Sequence, residues 1–321
     1  MAEKTYKTYR QLVTLLRNRG MVIGKGSQGS RVMRILENEN YYNVINGYKE
    51  LFIDIPATAT TDEKYKAGTT FDEVYAMYSF DREIRNIYLK YLLKVENQFK
   101  TVIAHEFSAK YGHDNYLKLN CFEISTEKDI AATTKLIGDI QQEISRQMSK
   151  HHQVVTHYMT EHGYIPLWVL VNVLTFGKIS NFYKNMKQPD RITVAKQFGL
   201  PDVELAKFME MLGLARNKCA HDERFYDISF RKAIHTKSIK NFNKLGITRE
   251  PDGSYKYGTN DAYSIAIMFA LLLSKTDINE FISSMKGAFS KLQKQLHTIS
   301  VNDVMGVMGF DSTWVNLSLL K

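Results

Sequence analysis

The sequence predicts an all-α fold. Apolar residues recur at intervals of three and four along most of the 321-residue chain, the spacing that forms one buried face of a helix. Few stretches alternate as strands do, and we find neither an internal repeat nor a low-complexity tract. We therefore expect one contiguous domain over residues 1–321, with N-terminal helices over 1–55, a core helical bundle over 70–226 and a C-terminal helical extension over 227–321.

The longest helix is predicted over residues 71–102, where the apolar spacing is most regular. Thr70, with Glu73 three residues later, predicts a capping box at its start. Glu96 and Lys100 are expected to pair on its outer side. Further helices are predicted over residues 127–148, 166–175, 178–186, 191–198, 202–221, 261–274 and 277–296.

Other local signals mark helix ends and turns. Asp277 is a plausible N-cap for the last helix, and Asp252-Gly253 predicts a short hairpin. A polar stretch over 56–70 predicts a loop. Residues 24–29 fit a Gly-x-Gly-x-x-Gly pattern, but only three residues before them could form a strand and no βα alternation follows. We expect a flexible loop that leads into a helix there, and no dinucleotide cofactor.

Composition indicates an anionic partner. The formal net charge is +9, which favours nucleic acid, although an ordinary basic surface would give the same value. The two cysteines lack metal-ligand spacing and fit a reducing cytoplasm. Met1–Lys7 has no apolar signal-peptide core, and the apolar stretches over 165–176 and 265–273 are too short or too interrupted to span a bilayer. We expect a cytoplasmic protein without a membrane segment, whose two apolar stretches form buried helices.

Histidines recur at 152, 157 and 162, that is, every five residues. On a helix, this spacing rotates each histidine about 140° from the one before it. Metal ligands on one helix favour a spacing of four, so we predict no metal site. Cys219 and His221 would lie about 200° apart, which argues against a nucleophilic pair and favours a small buried role for Cys219.

The most informative stretch is residues 215–226, Ala-Arg-Asn-Lys-Cys-Ala-His-Asp-Glu-Arg-Phe-Tyr. A ribonuclease that works without metal needs a base for the ribose 2′-hydroxyl and a cation for the phosphate, roles that histidine and arginine fill. Asn217 and His221 lie four residues apart and therefore on the same side of a helix. Arg216 is rotated about 100° from Asn217, so we expect it at the edge of the same cleft. Arg146 and His151 repeat the spacing within a polar run, where we expect a solvated face.

The motif Arg-Asn-x-Cys-Ala-His with the following Phe-Tyr resembles the HEPN motif of the Abi-like (abortive infection) family of bacterial antiphage proteins. The resemblance extends along most of the chain in the family's order. Two stretches depart from it, a Gly-rich loop over 24–30 and the polar insertion over 56–70. The similar blocks are Gln11–Ile23, Tyr41-Tyr42 with Gly47-Tyr48, Tyr78–Arg85, Pro166–Trp168 with Thr175–Gly177, and Met308–Phe310 with Trp314.

The resemblance implies a HEPN-type bundle over 70–226 and a metal-independent endoribonuclease in antiphage defence. His221 would be the general base, Arg216 would stabilise charge at phosphorus, and Asn217 would hold His221 or the phosphate. The products would be a 2′,3′-cyclic phosphate and a 5′-hydroxyl, so DNA should not be cut. It also implies a homodimer in which two motifs form one composite cleft, and an antitoxin that is an RNA or a protein.

Residues around the motif extend the predicted site. Lys218, Arg224, Arg231 and Lys232 would hold phosphates. Tyr226 would stack on a base, whereas core packing is favoured for Phe225. The resemblance also implies that Glu83 or Arg85 packs beside the motif helix and orients its side chains. The alternative is that Asp81, Arg82, Glu83 and Arg85 form ordinary surface ion pairs.

Two other functions remain open from the sequence. An RNA-binding HEPN protein would hold a structured noncoding RNA with little or no cleavage. A plain protein-interaction bundle would have no RNA affinity.

Overall fold

The longest helix, formed by Phe71–Tyr111, packs against many of the other helices. The computed structural model describes residues 5–320, and about 65% of the chain is helical, which confirms the all-α prediction. The α-helices are α1 (Tyr9–Asn18), α2 (Ser27–Asn38), α3 (Phe71–Tyr111), α4 (Glu127–Ser149), α5 (Gln153–Glu161), α6 (Leu167–Leu170), α7 (Phe176–Asn185), α8 (Gln188–Gln197), α9 (Asp202–Ala220), α10 (Ala262–Leu272), α11 (Lys275–Gln293) and α12 (Val301–Val307).

Shorter elements connect them. A π-helical turn, Tyr42–Asn46, leads through a 3₁₀ turn, Glu50–Phe52, into an antiparallel pair of strands, β1 (Ile53–Ile55) and β2 (Lys64–Tyr65). The stretch predicted as a loop over 56–70 therefore contains a strand, too short for alternation to show. Further 3₁₀ turns are Asn115–Leu117, Leu119–Cys121, Thr236–Ser238, Phe242–Leu245 and Trp314–Leu320.

The capping box that begins α3 is present as predicted. The Thr70 hydroxyl accepts a hydrogen bond from the Glu73 N–H (3.2 Å), and the Glu73 carboxylate accepts one from the Thr70 N–H (3.1 Å). The second Glu73 oxygen accepts bonds from the N–H groups of His297 (2.7 Å) and Thr298 (2.6 Å). Burial acts to raise the pKa of Glu73, but the backbone donors of Thr298, His297 and Thr70 bring it below the ordinary glutamate value. One buried carboxylate thus caps α3 and joins it to the C-terminal part of the chain.

Aromatic side chains fill the space between α3, α10 and α11. Tyr88 and Tyr91 of α3 contact Phe269 of α10 and Phe281 of α11, with ring centroids 5.2–5.9 Å apart. Nearly every residue of α10 is buried, as predicted for the apolar stretch over 265–273. The C-terminal extension therefore shares its core with the longest helix.

Several predicted details are wrong. The helix expected over 166–175 is only α6, four residues long, and Thr175 instead caps α7, since its hydroxyl accepts from the Lys178 N–H. Ser274, not Asp277, caps α11.

The Glu96–Lys100 pair forms (2.8 Å) but is buried, with the two side chains 7% and 11% exposed. The outer face expected for it is covered because α9 packs against α3 there.

The Gly-rich stretch leads into a helix as predicted. Gly26 has φ +67°, a conformation that favours glycine, and α2 starts at the next residue. The Gln28 side chain accepts a hydrogen bond from the Gly24 N–H (2.7 Å). This bond within the stretch holds the turn that leads into α2. The predicted hairpin at Asp252-Gly253 is present as a tight turn with one bridge, between Arg249 and Tyr255.

The buried apolar residues form one cluster from Val13 to Leu320, which runs through all three parts expected from the sequence. The boundaries between those three parts stay a prediction. Met1–Lys4 and Lys321 lie outside the described residues. Among the helices that the structure describes, none combines the length and the apolarity needed to cross a bilayer.

Glu73→Ala should destabilise the fold by about 3–5 kcal/mol, because it removes a cap and leaves buried N–H donors without an acceptor. Since its pKa is lowered in the folded state, its contribution is present at neutral pH and is lost as the pH falls through that lowered value. Urea unfolding at pH 7 and at acid pH would measure both effects.

The matched control is Asp129→Ala in α4, which removes a capping box of the same geometry on an exposed surface. It should cost only about 1 kcal/mol. Equal losses for the two variants would contradict the joining role of Glu73.

Candidate functional site

The Arg-Asn-x-x-x-His motif lies at the C-terminal end of α9, which packs against α3. His221 is the C-cap of this helix, and its N–H donates to the Asn217 carbonyl at 3.0 Å. The next residue, Asp222, has φ +58°, which lies in the left-handed region that non-glycine residues rarely adopt. The chain therefore turns sharply directly after the histidine.

The three motif side chains do not converge within one chain. His221 and Asn217 are exposed, and no side chain among residues 5–320 hydrogen-bonds to the His221 imidazole. Arg216 is directed to α3, where its Nε donates to the buried Glu96 carboxylate at 3.3 Å. Five helical positions correspond to a rotation of about 140°, which explains why Arg216 and His221 diverge.

A cleft of about 630 Å³ lies beside His221, and we call it the motif cleft. One wall is the segment that follows the motif, and the other is the π-helical turn near the N-terminus. Neither Arg216 nor Asn217 lines it, so the expectation that Arg216 edges this cleft with Asn217 is not met by a single chain. Its lining residues include Lys218, His221, Asp222, Glu223, Arg224 and Asp227, and opposite them Tyr42, Asn43, Asn46, Gly47, Tyr48 and Tyr78.

The segment after the motif is held by a buried carboxylate on α3. Asp81, which is fully buried, accepts hydrogen bonds from the N–H groups of Phe225 (3.1 Å) and Tyr226 (2.7 Å) and from the Tyr48 hydroxyl (2.7 Å). It also pairs with Arg85 one helical turn later (3.1 Å). Burial raises the pKa of Asp81, and the four donors act against that effect.

Arg85 continues this arrangement into the turn after His221. Its guanidinium donates to the backbone carbonyls of Asp222 (3.2 Å) and Glu223 (2.9 Å) and also binds the Asp222 carboxylate. The Arg85 side chain is only 3% exposed, so it holds the left-handed turn at Asp222 from the protein interior. The alternative of a surface ion pair at Asp81–Arg85 is therefore wrong.

Glu83, the other residue expected beside the motif, lies elsewhere. Its carboxylate pairs with Lys291 of α11 at 2.8 Å. On a helix, two positions separate Glu83 from Arg85 by about 200°, so only one of them can face α9. Arg85 is the one that contacts the motif region.

The cations in the motif cleft are already paired with acids. Lys218 contacts Glu223 (3.3 Å), and Arg224 contacts Asp227 (2.7 Å) while donating to the Gly47 carbonyl (2.8 Å). An RNA phosphate would therefore compete with a carboxylate for each of these cations.

The remaining predicted RNA contacts differ in their surroundings. Arg231 is exposed, and Lys232 pairs with Glu210 at 2.7 Å. Lys184 and Lys232 together lower the pKa of Glu210. Tyr226 is only 2% exposed and packs against Tyr48, so the expectation that it stacks on a base is wrong. Phe225 is fully buried, as predicted.

Sequence reasoning missed the opposite wall of the cleft. Tyr42 is 66% exposed there, beside Asn43 and Asn46. An aromatic ring can stack on a base, and amide groups can hydrogen-bond to base edges. The only signal was the resemblance at Tyr41-Tyr42, which gave no indication that this turn lies against a motif nearly 180 residues later.

Other candidate constellations are structural. Cys219 is buried, and burial raises the pKa of its thiol to about 12, as expected for a small core residue. Arg146 is half-exposed and pairs with Glu143, whose pKa is lowered to about 2 because Arg146, Lys178 and Gln147 outweigh its burial.

The histidine series spans α5. His152 is its N-cap, and its Nδ1 accepts from the Val155 N–H at 3.5 Å. The rings of His157 and His162 lie 5.9 Å apart. Within residues 5–320, no group of three or more His, Cys, Asp or Glu side chains has the geometry of a metal site.

Asp81→Asn should destabilise the protein by about 3–5 kcal/mol, because it removes the buried one of the two carboxylates that pair with the Arg85 guanidinium and replaces an acceptor by an amide donor. Urea unfolding followed by circular dichroism would measure the loss.

Asp72→Asn on the same helix is the control, since Asp72 forms an exposed pair with Arg31. It should change stability by no more than about 1 kcal/mol. A small effect of Asp81→Asn would contradict the role assigned to this carboxylate.

Comparison with known proteins identifies the family. A sequence model described as "Abi-like protein" matches residues 34–227, more than half of the chain. The match includes the similar blocks at Tyr41–Tyr48, Tyr78–Arg85, Pro166–Gly177 and the motif, while those at Gln11–Ile23 and Met308–Trp314 lie outside it. Comparisons with curated proteins and with solved structures gave no match. On the strength of the family match, this chain belongs to the Abi-like protein family.

Proposed function

We propose that this protein is an abortive-infection effector that cleaves RNA without a metal ion, through the ribose 2′-hydroxyl. Membership of the Abi-like family suggests abortive-infection defence. The observation that carries the nuclease proposal is the position of His221, exposed at the edge of the motif cleft and directly before a backbone turn held by Arg85.

In the proposed reaction, His221 takes the proton of the 2′-hydroxyl. The 2′ oxygen bonds to phosphorus and the bond from phosphorus to the 5′ oxygen breaks. The 5′ oxygen takes up a proton from water, and His221 then returns its own proton to the solvent. The products are a 2′,3′-cyclic phosphate and a 5′-hydroxyl. An arginine stabilises the charge that develops on the phosphate oxygens. Tyr42, Asn43 and Asn46 would contact the bases, and Lys218 and Arg224 the phosphates.

We infer that this arginine comes from a second copy of the chain. Within one protomer, Arg216 faces Glu96 and His221 faces the motif cleft, so one chain does not bring its base and its cation together. In a homodimer with two motifs side by side, Arg216 of one protomer would complete the cleft of the other. The exposed face of α9 suits an interface, because Leu214 is 53% exposed and lies on the same helix stripe as Asn217 and His221.

His221→Ala should reduce RNA cleavage by about 10²–10⁴-fold, the contribution of a positioned base. Purified protein in EDTA would be incubated with bacterial RNA, and the new ends tested for cyclic phosphate. His105→Ala, which removes an exposed histidine of α3, should leave the rate unchanged.

Equal cleavage by wild type and His221→Ala would rule out His221 as the base. Loss of cleavage in EDTA would contradict the metal-free reaction.

Leu214→Arg should convert the proposed dimer into a monomer and reduce cleavage with it, because a charge would replace an apolar side chain at the interface. Val203→Arg is the matched control, since Val203 is 68% exposed near the other end of α9. Light scattering after size-exclusion chromatography would give the masses. A monomeric wild type that cleaves RNA would contradict the composite site.

A second candidate function is an RNA-binding HEPN protein that holds a noncoding RNA with little or no cleavage. The ion pairs of Arg216, Lys218 and Arg224 favour the absence of cleavage, because each cation needed at the reacting phosphate is already bound to a carboxylate, while Arg231 is exposed, forms no ion pair within residues 5–320 and can bind RNA. A protein or RNA antitoxin could maintain the same silent state. Copurification of a defined RNA with wild type and with His221→Ala, without cleavage by either, would establish this function.

A further inference from the structure

The excess positive charge of the chain is concentrated in a short segment after the motif. Residues 231–256, here called the basic segment, contain seven Lys and Arg against Glu250 and Asp252. This formal excess of five is more than half of the net charge of +9 carried by all 321 residues. The segment lies outside residues 34–227, the part of the chain that the family model matches.

Six of these seven cations have no ion pair among the described residues, in contrast to those of the motif cleft. Lys232 pairs with Glu210, but no acidic side chain of residues 5–320 forms an ion pair with any of the others. All of them are exposed. The unpaired cations of the basic segment are Arg231, Lys237, Lys240, Lys244, Arg249 and Lys256.

The basic segment also has the shape of a binding site. A cleft of about 600 Å³, here called the basic cleft, is lined by Lys237 and Arg249, by Asn241 and Asn243, and by Tyr255. Positive charge, amide groups and an aromatic ring thus meet in one concave surface. This combination fits the phosphates and the base edges of a polynucleotide.

Arg249 is held as a rigid, flat cation. Its guanidinium lies 4.3 Å from the centroid of the Tyr255 ring and donates to the Tyr255 hydroxyl (2.7 Å) and to the Gly253 carbonyl (2.9 Å). The Tyr255 ring also packs in a T-shaped arrangement against the buried Phe242, with the two ring centroids 4.7 Å apart. A guanidinium plane fixed in this way offers a stacking surface for a base.

We propose that the basic segment is a second RNA-binding site, which holds RNA next to the motif cleft. The inference rests on the proposed function for its choice of RNA as ligand. Ser229 lines the motif cleft and Ala233 lines the basic cleft, only four residues further along. Four residues span at most about 14 Å, so one RNA strand can occupy both sites.

RNA fits this surface better than an anionic membrane does. Between residues 231 and 256, all of which the structure describes, no large apolar side chain is exposed. Proteins that bind in a lipid surface insert apolar side chains between the headgroups. The basic segment provides charge and flat polar groups instead.

The test uses the full-length chain carrying His221→Ala, so that RNA is bound without being cut. The probe is a labelled single-stranded RNA of about 20 nucleotides, and its affinity is measured as a function of salt. Lys237→Gln/Lys240→Gln/Lys244→Gln should lower the slope of log affinity against log salt by about 2, because each lost phosphate contact contributes about 0.7. Its affinity at 0.15 M salt should fall roughly tenfold or more.

The control is Lys128→Gln/Lys135→Gln/Lys150→Gln, which removes the same charge from three exposed lysines on or beside α4 that also lack ion pairs in the described chain. It should leave the slope nearly unchanged. Arg249→Lys keeps the charge but removes the flat stacking surface, so it should weaken binding with little change in slope.

Equal slopes for the two triple variants would overturn the proposal. So would unchanged RNA binding together with lost pelleting on phosphatidylserine vesicles, which would identify a membrane site instead. The outcome is separable from that of the nuclease proposal. Salt-dependent binding through the basic segment without cleavage by wild type would contradict only the nuclease. Cleavage by wild type with equal binding by all variants would contradict only the second site.

Discussion

Asp81 connects the longest helix to the segment that follows the motif, and the geometry of the candidate site depends on it. Its carboxylate accepts the backbone N–H groups of Phe225 and Tyr226, the Tyr48 hydroxyl and one Arg85 nitrogen. Three parts of the chain that are far apart in sequence therefore meet at one buried charge. Such a charge is tolerated in a core only when its donors are in place, so the surrounding backbone has little freedom to move.

That constraint determines what His221 can do. Arg85, fixed by Asp81, binds the backbone of the two residues after the histidine and holds Asp222 in the left-handed conformation. A residue in this conformation costs about 1 kcal/mol or more, and surrounding contacts must hold it there. The turn stops α9 at His221 and leaves the imidazole exposed at the cleft. The same helix geometry sends Arg216 to Glu96, so a rigid protomer separates the two groups that the proposed reaction requires.

The sequence predicts the helices well because their signal is local. Periodicity predicts α3, α4, α9, α10 and α11 to within a few residues, except for the C-terminal end of α3, and Thr70 with Glu73 predicts the N-cap of α3. It could not show which polar positions on α3 are buried, because that depends on which helix packs there. Glu96 was expected on the outer side for this reason, and a surface position for Asp81 stayed open as an alternative. Tyr226 was expected to be exposed, but the backbone bond to Asp81 draws it into the core. Residues from the N-terminal turn could not be assigned to the site, since their approach to the motif is a long-range contact.

Under the proposed function, the arrangement of charge separates the capture of RNA from the reaction with it. In the motif cleft, Lys218 and Arg224 are neutralised by neighbouring acids, so long-range attraction from this cleft is weak. The basic segment retains most of the net charge and lies only a few residues away along the chain. A polyanion is attracted by unpaired charge, so it would meet the basic segment first and reach the motif cleft by replacing Glu223 and Asp227 on their cations. The energy for that exchange would come from the contacts already formed, and an RNA held only at the basic segment would leave the ion pairs of the motif cleft intact.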